Sequence, residues 1–147
     1  MQISPATEAD TETISEILGE IEAYYGGADT PGDQAAVRAA LYGERPAATV
    51  LLARDGNRIL GMASYTFLWP ACGADTSLYL KELYVRETVR RRGVARAFMV
   101  ELEAVAAAAG CSRIEWTADA DNPPALRFYE ALGAEPRGGK VFYRLER

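Results

Sequence analysis

The chain has 147 residues, 49% hydrophobic and 25% charged, a balance that lets a globular protein bury one core. Its net charge of −5 argues against a general nucleic-acid binder, which needs a basic face. It contains no histidine, which excludes Ser-His-Asp and Cys-His catalysis and leaves acid–base chemistry to Tyr, Glu, Asp, Lys, Cys or water.

Taken in chain order, residues 2–5 read as a short strand. Thr7 to Tyr25 places Ile14, Ile17, Leu18 and Ile21 at helical spacing. The opposite face carries Glu8, Asp10, Glu12, Glu16, Glu20 and Glu22, read either as a solvated face or as an electrostatic lure for a cation. Gly26-Gly27 ends this helix, and a weaker one is expected over 33–43. Thr49–Arg54, the turn Asp55-Gly56-Asn57 and Ile59–Trp69 predict a β-hairpin. After the loop Pro70–Asp75, Leu78–Val85 predicts another strand. The run Arg90-Arg91-Arg92-Gly93 then opens a helix with Val94, Phe98, Leu102, Val105 and Ala109 on one face, stopped at Gly110. Arg113–Asp119 reads as a strand. Pro123 and Pro124 suit the first turn of a helix over 125–132, ended by Gly133. Val141–Leu145 reads as a last strand. The order β-α-α-β-β-β-α-β-α-β, without repeat or linker, predicts one mixed α/β domain over residues 1–147.

The opening MQISPATEAD has no basic stretch followed by an apolar core, so no signal peptide is expected. No apolar run approaches the length of a membrane span. A cytoplasmic protein is the expectation. Cys72 and Cys111 lack metal-ligand spacing and are expected to be reduced and partly buried, and no metal site is expected.

A strand, an Arg/Gly turn and a helix N-terminus make a generic anion site. The first helical N–H groups lack intrahelical partners, and Gly93 has no Cβ to hold a diphosphate away. A phosphate-binding G-x-x-x-x-G-K-[ST] loop does not occur, and a single glycine in the turn excludes the dinucleotide fingerprint.

Here the chain resembles the general-control-non-repressible-related N-acetyltransferase (GNAT) superfamily. Arg90-Arg91-Arg92-Gly93-Val94-Ala95 matches that family's acyl-CoA signature, [Q/R]-x-x-G-x-[G/A]. It follows a strand of the family's type, Leu80-Lys81-Glu82-Leu83-Tyr84-Val85. The second family block, N-x-x-[A/S]-x-x-F-Y-x-x-x-G, is matched from Asn122 through Ala125, Phe128 and Tyr129 to Gly133. Pro5-Ala6-Thr7-Glu8-Ala9-Asp10 looks like the family's first strand-to-helix junction.

The resemblance implies an acyl-CoA N-acyltransferase fold: a central, mostly antiparallel sheet with a splayed parallel strand pair, flanked by about four helices. It implies acetyl-CoA as co-substrate. The turn of Arg90, Arg91, Arg92, Gly93, Val94, Ala95 and Arg96 would bind the cofactor, with the backbone amides of Arg91 through Arg96 cradling the pyrophosphate. Leu83, Tyr84 and Val85 would line the pantetheine, with Leu83 and Val85 pairing to it like an added strand. Asn122, with Ala125 and Phe128 in the same block, would contact that arm. Tyr129 would protonate the departing thiolate.

For the base that takes the amine's proton, Glu82, Glu115, Asp119 and Asp121 stay open, with Glu82 and Glu115 in front. Tyr24, Tyr25, Phe67 and Trp69 are candidates for lining an acceptor pocket, or are core or interface aromatics. Within the superfamily the chain looks most like the polyamine and thialysine acetyltransferase branch. It departs from that branch at Lys81, where the branch commonly has a Glu that is its proposed base, and at Asp121, where it commonly has Trp. Lys81 would repel a polyamine and attract a carboxylate. The expected activity is acetyl transfer to a primary amine of a small molecule, such as an amino acid, a polyamine or an antibiotic-like amine, by a homodimer, with no nucleic-acid or membrane partner. A non-catalytic acyl-CoA-binding module and a protein or peptide N-acetyltransferase are the alternatives.

Overall fold

The computed structural model describes residues 1–147 in two units, Met1–Trp116 and Thr117–Arg147. In the first unit β1 (Gln2–Pro5), α1 (Thr11–Tyr24), α2 (Gln34–Tyr42), β2 (Thr49–Asp55), β3 (Arg58–Leu68), β4 (Ser77–Val85), α3 (Val94–Ala108) and β5 (Arg113–Glu115) follow in order. The second unit carries α4 (Pro123–Ala131). The five strands form one sheet in the order β1-β2-β3-β4-β5, antiparallel except for the parallel pair β4–β5.

Because successive strand residues point to opposite faces, β2 divides its apolar run between two layers. Val50 and Leu52 join Ile59 and Met62 against Ile14, Ile17 and Ile21 of α1 and Val37 of α2, with Leu18 and Tyr84 at the edge of this cluster. Leu51 and Ala53, equally buried, face the other way. α3 contacts β1, β2, β3, β4 and β5, and Val94, Phe98, Met99, Leu102 and Ala106 are its buried residues. A sheet covered on both faces explains why β2 and β3 are buried along most of their length rather than at alternate residues. On α3 the buried stripe turns from Leu102 to Ala106. Val105 is half-buried, and Ala109 is exposed beyond the helix end.

The junction at Thr7–Asp10 is a tight polar knot before α1. Asp10 Oδ2 accepts from the Thr7 N–H at 2.8 Å and from Arg54 Nη2 at 2.7 Å. Burial acts to raise the Asp10 pKa, but the Arg54 hydrogen bond and charge, with the Thr7 N–H, hold it below the usual aspartate value.

Three expectations need correction. The strand from Arg113 stops at Glu115 instead of Asp119, because only Arg113, Ile114 and Glu115 pair with β4. Val141–Leu145 is not a strand. Its apolar–polar pattern suits a sheet, but a strand exists only where a neighbour pairs with it, and Val141, Phe142, Tyr143 and Leu145 are at least 73% exposed. Cys72 is exposed rather than partly buried, while Cys111 is half-buried and both are free.

Candidate functional site

The register of β4 changes partway along. Ser64 of β3 faces Glu82 while Tyr65 faces Leu80, so Lys81 is an extra residue in β4. The extra residue rephases the strand. Glu82 and Tyr84 come to the face shared with Met62 and α1, while Leu83 and Val85 lie opposite Ala63 and Gly61 on the other face. Lys81 itself is exposed.

The bulge lies where β5 leaves. Ser77, Leu78 and Tyr79 pair with Arg113, Ile114 and Glu115, but beyond Tyr79 β4 continues with β3 alone on its ladder. The Arg86 N–H donates to the Leu60 carbonyl at 2.9 Å, which fixes the hydrogen-bonding phase of this stretch. In an antiparallel ladder the flanking pair then turns its backbone groups outward, so Val85 and, two residues back, Leu83 present N–H and C=O to the open edge. Gly61 makes this close packing possible, since a Cβ there would lie 2.3 Å from the Tyr84 carbonyl oxygen.

That open edge leads into the arginine turn. After a single 3-10 turn at Glu87–Val89, Arg91 takes φ 63° and Gly93 takes φ 79°, both in the left-handed region. Gly93 is the N-cap of α3, and a Cβ built on it would meet nothing within 4 Å. The N–H groups of Val94, Ala95 and Arg96 stand in the first helical turn, where the helix supplies no acceptor. No acidic residue occupies that turn, and Arg91, Arg92 and Arg96 are exposed around it. The geometry suits a diphosphate: open space above Gly93, unpartnered helical amides, the positive end of the dipole and three cations.

Arg90 is placed otherwise. Its Nε–H donates to the Val85 carbonyl at 3.0 Å, and its guanidinium lies 5.2 Å from the Tyr24 ring and 5.8 Å from the Tyr84 ring. It therefore bridges β4 and the end of α1. Beside it, Arg86 donates through Nε to both oxygens of Glu20 at 3.1 and 3.3 Å, with Glu16 3.8 Å from Nη2. Burial, then the Glu20 charge, raises the Tyr84 pKa against the opposing effect of Arg90, so the phenol is neutral at pH 7. Glu16 and Glu20 also border a shallow depression of about 310 Å³ with Asp29 and Pro31. Sequence reading did not single out the Glu20–Arg86 pair. The available signal was Glu16 and Glu20 at i, i+4 spacing on a helix, with an Arg directly after a strand.

The remaining candidates divide by location. Tyr24 and Tyr25 stack edge-on at 5.1 Å and are about half exposed. Phe67 pairs with Leu78, seven residues along β4 from Val85, which is about 23 Å at the usual strand rise. Trp69 lies just beyond β3, and its Nε1–H donates to the Ala74 carbonyl at 2.9 Å. Glu115 sits at the last pairing before the strands part, with its carboxylate 3.1 Å from Arg113 Nε. Glu82 is half-buried on the α1 face.

In the second unit Asn122 caps α4, its Oδ1 accepting from the Ala125 N–H at 3.4 Å, with Pro123 and Pro124 in the first turn. Phe128 and Tyr129 contact each other at 5.2 Å between ring centroids. Gly133 closes the helix, the Ala134 N–H reaching the Tyr129 carbonyl. Asp119 and Asp121 lie in the exposed stretch ahead of the cap. No group of three His, Cys, Asp or Glu side chains is placed to hold a metal ion, and no helix is long and apolar enough to cross a membrane.

Comparison with known proteins agrees with the geometry. Residues 14–134 match the model of the acetyltransferase (GNAT) family. A thialysine N-epsilon-acetyltransferase of Bos taurus is 26% identical over 144 residues, covering 92% of this chain and 84% of the relative. An L-ornithine N5-acetyltransferase of Arabidopsis thaliana is 30% identical over 67 residues, covering 46% of this chain and 29% of the relative. Among solved structures, an integron cassette protein from the mobile metagenome of V. cholerae superposes with a TM-score of 0.86 at 29% identity, over 99% of this chain and 92% of its own.

Proposed function

The chain belongs to the GNAT acetyltransferase family, near its polyamine and thialysine branch, and is an acetyl-CoA-dependent N-acetyltransferase; from that premise we propose that it acetylates the primary amine of a small molecule by direct attack. The observation that carries this reading is continuous within the first unit. The outward backbone edge of Leu83 and Val85, opened where β5 leaves β4, runs directly into the Gly93 turn and the N-terminus of α3. Acetyl-CoA, when bound, supplies the acetyl group as an activated thioester. In this reading the edge of β4 orients the pantetheine arm, and the Val94–Arg96 amides hold the pyrophosphate.

Tyr129 Oη is proposed as the acid that protonates the departing thiolate, a role open to tyrosine in a chain without histidine. Glu82 and Glu115 are the proposed candidates for the base, Glu82 on the face turned to α1 and Glu115 with its carboxylate 3.1 Å from Arg113 Nε. The exposed Lys81 favours an acceptor that carries a carboxylate beside its amine, over a polyamine. Ornithine, in the name of one relative, is such an amino acid. The enzyme is read as one domain over residues 1–147, cytoplasmic and homodimeric.

The test is CoA release measured with acetyl-CoA and a panel of ornithine-like amino acids, polyamines, aminoglycosides and peptides. Turnover with amino acids above polyamines is expected. A protein that binds acetyl-CoA but turns over no amine is instead a non-catalytic acyl-CoA module. The presence of Lys81 at the bulge is the observation favouring that second reading.

A further inference from the structure

The family signature assigns the arginine run to phosphate, yet Arg90 is turned along β4 toward α1. The Val85 carbonyl points to the open edge, where the proposed function has the pantetheine arm pairing, and Arg90 Nε–H already holds that oxygen at 3.0 Å. The guanidinium also lies against two aromatic rings. The Tyr24 and Tyr84 rings lie 5.2 and 5.8 Å away, and Tyr84 is tied by hydrogen bonding to Glu20, which Arg86 grips in turn.

We propose that Arg90 is a self-occupying contact that acyl-donor binding displaces, so that filling the β4 edge also releases Tyr24 at the C-terminal end of α1. Arg90 is then a positioning residue linking the donor edge to the helix that borders the Glu16–Glu20–Asp29 depression. The inference rests on the acyl-CoA reading, because the competition exists only if a ligand pairs with Val85.

The magnitude follows from one hydrogen bond. A guanidinium–carbonyl bond at an exposed edge is worth little net, and displacing it costs a ligand roughly three- to tenfold in affinity. The probe must lack phosphates, since removing a cation also weakens phosphate binding. Calorimetric titration of pantetheine and, separately, CoA is therefore compared in the wild type, Arg90→Met and Arg90→Leu. Both substitutions remove every side-chain donor to the Val85 carbonyl, and Leu carries the test should Met fail to fold. Pantetheine is expected to bind the variants roughly three- to tenfold more tightly. Amide exchange in the last turn of α1 is expected to rise on CoA binding in the wild type and to be high already in the variants. Failure of the wild type to bind CoA overturns the acyl-CoA reading itself. CoA binding in the wild type, with pantetheine held no more tightly by the variants, overturns the displacement of Arg90 alone.

Discussion

Gly93→Ala probes both the left-handed backbone of the arginine turn and the open space above it. At φ 79°, ψ 5° a non-glycine residue pays the left-handed strain, about 1–2 kcal/mol. The new methyl meets no heavy atom within 4 Å, so no clash adds to it. Reduced freedom of the unfolded chain returns about 0.4–1 kcal/mol. The net loss is then about 1 kcal/mol, or about 2–4 °C in Tm for a chain of this size. Arg91→Gly is the converse, since Arg91 already bears φ 63°. Relief of strain and loss of unfolded-state rigidity nearly cancel there, and its Tm is expected at or slightly above that of the wild type. Thermal and urea denaturation measure both. CoA affinity should fall at least about tenfold in Gly93→Ala, whose methyl enters the space proposed for the diphosphate. It should stay within about threefold in Arg91→Gly, where the backbone amides remain. Destabilisation of Gly93→Ala beyond about 4 kcal/mol would mean a hidden clash. Equal losses of CoA binding in the two variants would refute the assignment of recognition to the backbone.

Gly61→Ala must push β4 away from a 2.3 Å contact with the Tyr84 carbonyl, costing about 2–3 kcal/mol and weakening CoA binding as the Val85 edge shifts; an unchanged urea midpoint would contradict this. Asp10 has a folded pKa below its unfolded value, so its contribution is complete above the unfolded value near 3.9 and is lost as pH falls through the folded one. Between pH 5 and 2 the stability of Asp10→Asn should therefore decline less steeply than that of the wild type, and parallel curves would remove the role given to the Arg54–Asp10 pair. Tyr129→Phe should lower kcat at least about tenfold with acetyl-CoA affinity retained, and steady-state kinetics with wild-type kcat would end its assignment as the acid.

The element order up to α4 was legible because it rests on local rules. The helical spacing of Ile14, Ile17 and Ile21, the Asp55-Gly56-Asn57 turn and the proline-led, Asn122-capped α4 each reflect interactions between near neighbours. The Gly93 turn was legible for the same reason, since a left-handed N-cap is a property of one residue. What tertiary structure decided depends on strands far apart in sequence. The extra residue at Lys81 exists only in register with Ser64 and Tyr65, and it sends Glu82 and Tyr84 toward α1 and Leu83 and Val85 to the other face. The end of β5 at Glu115 and the unpaired Val141–Leu145 depend on partner strands that no local pattern specifies. The arginine triplet divides along the same line. Its sequence marks a glycine turn that opens a helix, while the packing of α1 against β4 draws Arg90 to Tyr24, Tyr84 and the Val85 carbonyl, because only the folded chain brings those groups within its reach.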